Sequence, residues 1–158
     1  KTVSVKIPAG VDTGSRLRLA GEGETGQFGG APGDLYIFIN IKPHEFFSRN
    51  NSDIICEIPI SFVQAALGDE IKVPTLNGKK RLKVPKGTQP GDVFRFDGEG
   101  IPSLKNGSRG DQYIRVSIKT PTNLSKKQES LLKEFAKLES GKISKRIKNI
   151  LRGESVGT

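Results

Sequence analysis

The sequence predicts a mainly β protein: two tandem, homologous antiparallel β-sandwich-like domains, the first truncated, followed by a C-terminal α-helical element. Three observations carry this. The chain matches itself at an offset of 77 positions, with Pro8 on Pro85, Gly10 on Gly87, Gly14 on Gly91, Arg18 on Arg95, and Gly21-Glu22-Gly23 on Gly98-Glu99-Gly100. Gly33-Asp34 and Tyr36-Ile37 then fall on Gly110-Asp111 and Tyr113-Ile114 without a gap. An offset this long, against the ~20–50 residues of a solenoid repeat, marks the duplication of a small domain. Apolar and polar residues alternate with period two through both copies, the pattern of half-buried strands. Beyond Leu124 the apolar spacing changes to that of a helix face.

The repeat divides the chain into a partial first copy over residues 1–45, a complete second copy over 46–122, and a terminal segment over 123–158. Lys1 aligns with Gly78, so the counterpart of NSDIICEIPISFVQAALGDEIKVPTLNG would precede Lys1. The chain therefore reads as a piece of a longer protein.

In order, Thr2 to Ile7 alternates Val3, Val5 and Ile7 with polar residues and predicts a strand that ends at Pro8. Ser15 to Ala20 repeats the pattern through Leu17 and Leu19. Gly21 to Asp34 holds too many glycines for regular structure and reads as a long hairpin loop. Leu35 to Ile41 is the next strand, with Leu35, Ile37, Ile39 and Ile41 on one face and Tyr36 and Phe38 on the other. Pro43 to Asp53 reads as the connection between the copies. Asp53 to Ile60 alternates again and turns Ile54, Cys56, Ile58 and Ile60 inward. Ser61 to Leu67 predicts one or two helical turns closed by Gly68. Ile71 to Pro74 and Lys80 to Val84 flank Leu76-Asn77-Gly78, a strong hairpin-turn signal. Strands return at Val93 to Phe96 and Gln112 to Ile118.

Ser125 and Gln128 have the spacing of a capping box, and Leu131, Leu132, Phe135 and Leu138 then share one helical face. Gly141 is expected to end this helix and Lys142 to Arg152 to form a second, basic one. A lone helix of this length needs its apolar stripe covered, either by the second β-domain or by the same helix of another chain.

The net charge of +9 is concentrated in the tail, where residues 126–152 hold nine Lys or Arg against three Glu. That stretch lacks the aromatics that stack on bases, so nucleic acid is not the expected partner. One cysteine, Cys56, forms no internal disulfide and indicates a reducing compartment; its alternation with isoleucines makes it a core thiol. No apolar run approaches the ~18 residues of a membrane span. Gly21-Glu22-Gly23-Glu24-Thr25-Gly26 satisfies a dinucleotide pattern, but such a site needs a helix N-terminus directly after it, and Gln27-Phe28-Gly29-Gly30-Ala31-Pro32 follows instead. His44, the only histidine, has no nucleophile or carboxylate cluster around it and reads as a loop residue. No catalytic or metal-ligating set is present in the sequence.

The stretches KTVSVKIPAGVDTGSRLRLAGEGE, GDLYIFINIKPHEFF, DIICEIPISFVQAALGDEIKVPTLNGKKRLKVPKGTQPGDVFRFDGEGI and GDQYIRVSIKTPTNLSKKQESLLKEF closely resemble the C-terminal region of the DnaJ family of J-domain co-chaperones, over residues 1–138. The resemblance implies a client-binding first β-domain, a similar second β-domain and a dimerising C-terminal helix. It implies a role without catalysis: binding unfolded or hydrophobic polypeptide and delivering it to a DnaK-type ATP-driven chaperone, as a homodimer in the cytoplasm, with no membrane contact. It implies no cofactor for this stretch, because the family's CxxCxGxG zinc module has no counterpart here. His44 stands in Pro-His-Glu and not in the J-domain's His-Pro-Asp. Aligned on Lys-Pro-His-Glu-Phe-Phe, a client-pocket position falls on Ile37, flanked on the same face by Leu35 and Ile39. The dimerisation residues it implies are Leu131, Leu132, Phe135 and Leu138.

Overall fold

The computed structural model describes residues 2–26, 28 and 30–151, with side chains at 141–146 and 148–151 left aside. Two compact units form, Lys1–Lys119 and Thr120–Thr158, and both repeat copies lie in the first.

The second copy is organised on β4 (Asp53–Ser61), whose alternation buries Ile54, Cys56 and Ile60. It pairs on one side with β3 (Ser48–Asn50) and on the other with β8 (Gln112–Lys119), and β8 takes β7 (Val93–Phe96) on its far edge. Strands β3 and β7 run antiparallel to their neighbours, but β4 and β8 run parallel over eight residue pairs, Ile54↔Gln112 to Ser61↔Lys119. Alternation is blind to strand direction. A parallel neighbour needs a crossover of at least a dozen residues, and the chain between β4 and β8 is long enough to supply one.

That crossover builds the rest of the domain. Ser61 caps α1 (Phe62–Leu67): its Oγ accepts from Gln64 N at 3.1 Å, and Gln64 Oε1 accepts from Ser61 N at 2.9 Å. Gly68 ends the helix at φ +79°, the left-handed backbone that a glycine adopts without strain. A hairpin follows, β5 (Asp69–Thr75) paired antiparallel with β6 (Gly78–Val84). The core forms where sheet, α1 and hairpin meet, from Cys56, Ile60, Ala65, Val73, Leu82, Val84, Phe96, Ile114 and Val116. Fully buried Gln112 ties sheet to hairpin, donating from Nε2 to Pro74 O at 2.9 Å and to Cys56 Sγ at 3.4 Å.

The first copy consists of β1 (Arg16–Leu19) and β2 (Leu35–Phe38), paired antiparallel. They stand where β7 and the start of β8 stand in the second copy, and the bonds around them repeat at the same offset. Gly14 N donates to Ile39 O at 2.9 Å, as Gly91 N does to Val116 O at 2.8 Å; Gly23 N to Gly33 O is 2.8 Å, as is Gly100 N to Gly110 O. The loop between Gly21 and Asp34 carries no α-helix among the described residues, so the glycine pattern there lacks the amide-lined N-terminus that a pyrophosphate needs.

Three local expectations are corrected. Thr2 to Ile7 forms no strand: its repeat partner is β6, whose pairing strand β5 corresponds to positions before Lys1, and a strand without a neighbour has no ladder. Ser48–Asn50, read as connection, is a short strand, because Asn51 at φ +55° turns the chain back onto β4. In the second unit α2 is one helix, Lys126–Leu151, and continues through Gly141. An interior glycine costs only ~1 kcal/mol against alanine, which the helix-favouring Lys, Leu and Glu around it offset. Its start follows the expected cap, with Ser125 Oγ accepting from Gln128 N at 3.3 Å and Gln128 Oε1 accepting from Ser125 N at 2.9 Å. Arg152 and the remaining tail lie outside the described residues. No helix among the described residues is long and apolar enough to cross a membrane.

Candidate functional site

The β1–β2 register sets Leu17 opposite Ile37 and Leu19 opposite Leu35, so these four side chains share one face. Ile39 continues it, held by Ile39 N donating to Ser15 O at 2.9 Å. The three residues predicted for client contact, Leu35, Ile37 and Ile39, are therefore brought together on one strip. Leu17 and Leu19 complete it; the alternation over Ser15 to Ala20 contained them, but only the hairpin register shows that they face the same way.

All five are half-buried. Their counterparts in the second copy, Phe94, Phe96, Gln112, Ile114 and Val116, lie in or against the core, with Ile114 at 0% exposure. The two copies thus carry the same apolar face. In the second copy β8 has β4 on its outer side; at the 77-residue offset the positions corresponding to β4 in the first copy fall before Lys1.

The opposite face of the hairpin carries Arg16, Arg18, Tyr36 and Phe38, with Tyr36 and Phe38 52% and 71% exposed. The hairpin is closed at its loop end by Asp34. One carboxylate oxygen accepts from Gly21 N at 3.0 Å and the other from Arg18 Nε at 2.6 Å. The Gly21 N–H first, and then the Arg18 guanidinium, hold the Asp34 carboxyl below its ordinary pKa.

A cleft of about 530 Å³ opens where the two copies join, lined by Ile41, His44, Phe47, Arg49, Leu76 and Ile101 among others. Two of its polar residues, His44 and Arg49, are engaged in structure. His44 Nδ1 accepts from Phe46 N at 3.0 Å and Phe47 N at 3.2 Å, and Arg49 donates to the carbonyls of Val11 and Gly10 at 2.6 and 3.2 Å. His44 is the turn-forming loop residue that the sequence suggests. Cys56 is 2% exposed, and burial pushes its thiol above its ordinary pKa.

On α2, Leu131, Phe135 and Leu138 are 56%, 53% and 80% exposed and Leu132 is half-buried, so the four lie on one helix with most of their apolar surface uncovered.

A family model described as the DnaJ C terminal domain matches residues 1–121. Among curated relatives, a "Chaperone protein DnaJ" from Halalkalibacterium halodurans is 54% identical over 90% of this chain and 38% of its own length. The protein of the same name from Parageobacillus thermoglucosidasius is 52% identical over 98% of this chain and 43% of its own. That from Syntrophobacter fumaroxidans is 50% identical over 94% and 38%. The chain thus spans about two fifths of the length of the curated relatives it matches.

Proposed function

The chain belongs to the DnaJ C-terminal domain family, and from that premise we propose that it is the part of a co-chaperone that binds unfolded or hydrophobic polypeptide and, as a homodimer, delivers it to a DnaK-type ATP-driven chaperone. It has no chemistry of its own. The cytoplasm is its compartment in this proposal, supported by a single unpaired cysteine, Cys56.

The observation that supports client binding is the half-buried apolar strip of Leu17, Leu19, Leu35, Ile37 and Ile39, which the β1–β2 register brings onto one face. Such a strip asks a client only for large apolar side chains, and an extended polypeptide pairing with a sheet gains main-chain hydrogen bonds that are independent of its sequence. Burying one such side chain against Ile37 contributes ~1.5–3 kcal/mol. Homodimerisation is supported by the exposed stripe of Leu131, Phe135 and Leu138. Two client strips on one particle raise avidity by ~100 to 10,000-fold when both reach the same polypeptide.

The test is fluorescence anisotropy with a labelled, apolar, unstructured peptide. Ile37→Ser is expected to weaken binding by about tenfold or more while the folded fraction at the assay temperature is unchanged. Equal affinity in the folded variant removes the site.

A further inference from the structure

The outward face of the β5–β6 hairpin has a charge pattern that the fold does not require. In the register Glu70 is opposite Lys83, Lys72 opposite Arg81 and Pro74 opposite Lys79, so these six residues share the face turned away from Val73, Leu82 and Val84. Five of them are exposed and Pro74 is half-buried. Four are cations and one is a carboxylate. Glu70 is held by Arg81 at 2.8 Å, which leaves Lys72, Lys79 and Lys83 without an ion pair among the described residues. Lys80, on the inward face, is separately engaged with Glu99 at 3.2 Å and lies over the Phe96 ring.

Two features separate this face from an ordinary solvated one. Lys72 stands directly opposite Arg81, and like charges directly opposite across strands are destabilising. The repeat supplies an internal control: at the 77-residue offset the inward Leu82 and Val84 become Val5 and Ile7, still apolar, whereas the outward Lys79, Arg81 and Lys83 become Thr2, Ser4 and Lys6. The repeat thus keeps the apolar alternation of this segment and only one of its three outward cations. A local rule broken in one copy only, on a rigid element whose other side is core, indicates a function of that surface.

We propose that this face docks an extended acidic polypeptide segment. Residues two apart on a strand are about 7 Å apart on one face. Lys79, Arg81 and Lys83 thus form a row whose spacing matches acidic side chains at alternate positions of an extended chain. A helix presents its neighbours three and four residues apart at ~5–6 Å and does not match the row. β6 has only β5 beside it among the described residues, so its outer edge offers main-chain groups to the same segment. The face carries no aromatic side chain for base stacking, which disfavours single-stranded nucleic acid.

The experiment uses three labelled probes on the full chain: a ten-residue peptide of alternating Glu and Thr, its isomer with the glutamates in one block, and a ten-nucleotide oligothymidylate. The alternating peptide is expected to bind about tenfold more tightly than the block isomer, with affinity falling as salt rises. Lys79→Thr with Arg81→Ser, which installs the residues of the first copy, is expected to lose about tenfold in affinity for the alternating peptide at unchanged melting temperature. Equal binding of the two isomers, tighter binding of the oligonucleotide, or full affinity in the double variant each overturns the proposal.

Discussion

Asp34 and Asp111, 77 positions apart, make the same bond in the two copies: each carboxylate accepts the N–H of the glycine thirteen residues before it, Gly21 at 3.0 Å and Gly98 at 2.9 Å. Each also faces an arginine sixteen residues before it, Arg18 at 2.6 Å and Arg95 at 3.7 Å. The glycine-rich loops of the two copies, 21–34 and 98–111, have the same length and the same closure of the hairpin.

The Asp34 carboxyl is held below its ordinary pKa, so the charged form is the one that stabilises the hairpin. That contribution is present above the ordinary carboxylate range and is lost as pH falls through the depressed value. Asp34→Asn is expected to lower the melting temperature at neutral pH and to flatten the acid limb of the stability profile. Thermal melts from neutral pH into strong acid check this, and an unchanged acid limb contradicts it.

Ile37 and Ile114 occupy equivalent positions in different surroundings, half-buried against fully buried. Ile114→Ala should cost ~2–5 kcal/mol by leaving a cavity in the core. Ile37→Ala should cost at most ~1–2 kcal/mol, since less apolar surface is withdrawn from packing. Urea titrations of both variants measure the difference. Equal losses would mark the β2 strip as closed core and take away its availability to a client.

The stripe on α2 is expected to hold two chains together. The intact chain should sediment as a dimer at tens of micromolar, and both a chain ending at Thr122 and the full chain with Leu131→Asp and Phe135→Asp should sediment as monomers. The exposure of Leu131, Phe135 and Leu138 motivates this, because an amphipathic helix gains most of its stability from covering such a face. A monomeric intact chain, or dimers in both altered forms, assigns the interface elsewhere.

Much of this architecture is legible in local sequence. The duplication is read from self-similarity and the strands at Val93–Phe96 and Asp53–Ser61 from side-chain period, while the Ser61 and Ser125 capping boxes and the Asn77-Gly78 hairpin rest on interactions between residues close in the chain. The candidate strip was half legible, since Leu35, Ile37 and Ile39 follow from alternation while Leu17 and Leu19 join them only through pairing.

What lies beyond reach of the sequence depends on neighbours distant in the chain. Thr2 to Ile7 has the alternation of a strand but no strand beside it, and Ser48–Asn50 lacks the alternation yet pairs, because backbone bonding is decided by what lies 4.7–4.9 Å away and not by side-chain period. Period two is likewise the same in parallel and antiparallel ladders, so the parallel union of β4 with β8 was settled by packing around the long crossover. By itself the sequence determined the family, the duplication and the identity of the apolar faces. Only the tertiary structure decided that Leu17 and Leu19 face the same way as Leu35 and Ile37 and that β4 and β8 are parallel neighbours, since register and pairing join residues distant in the chain.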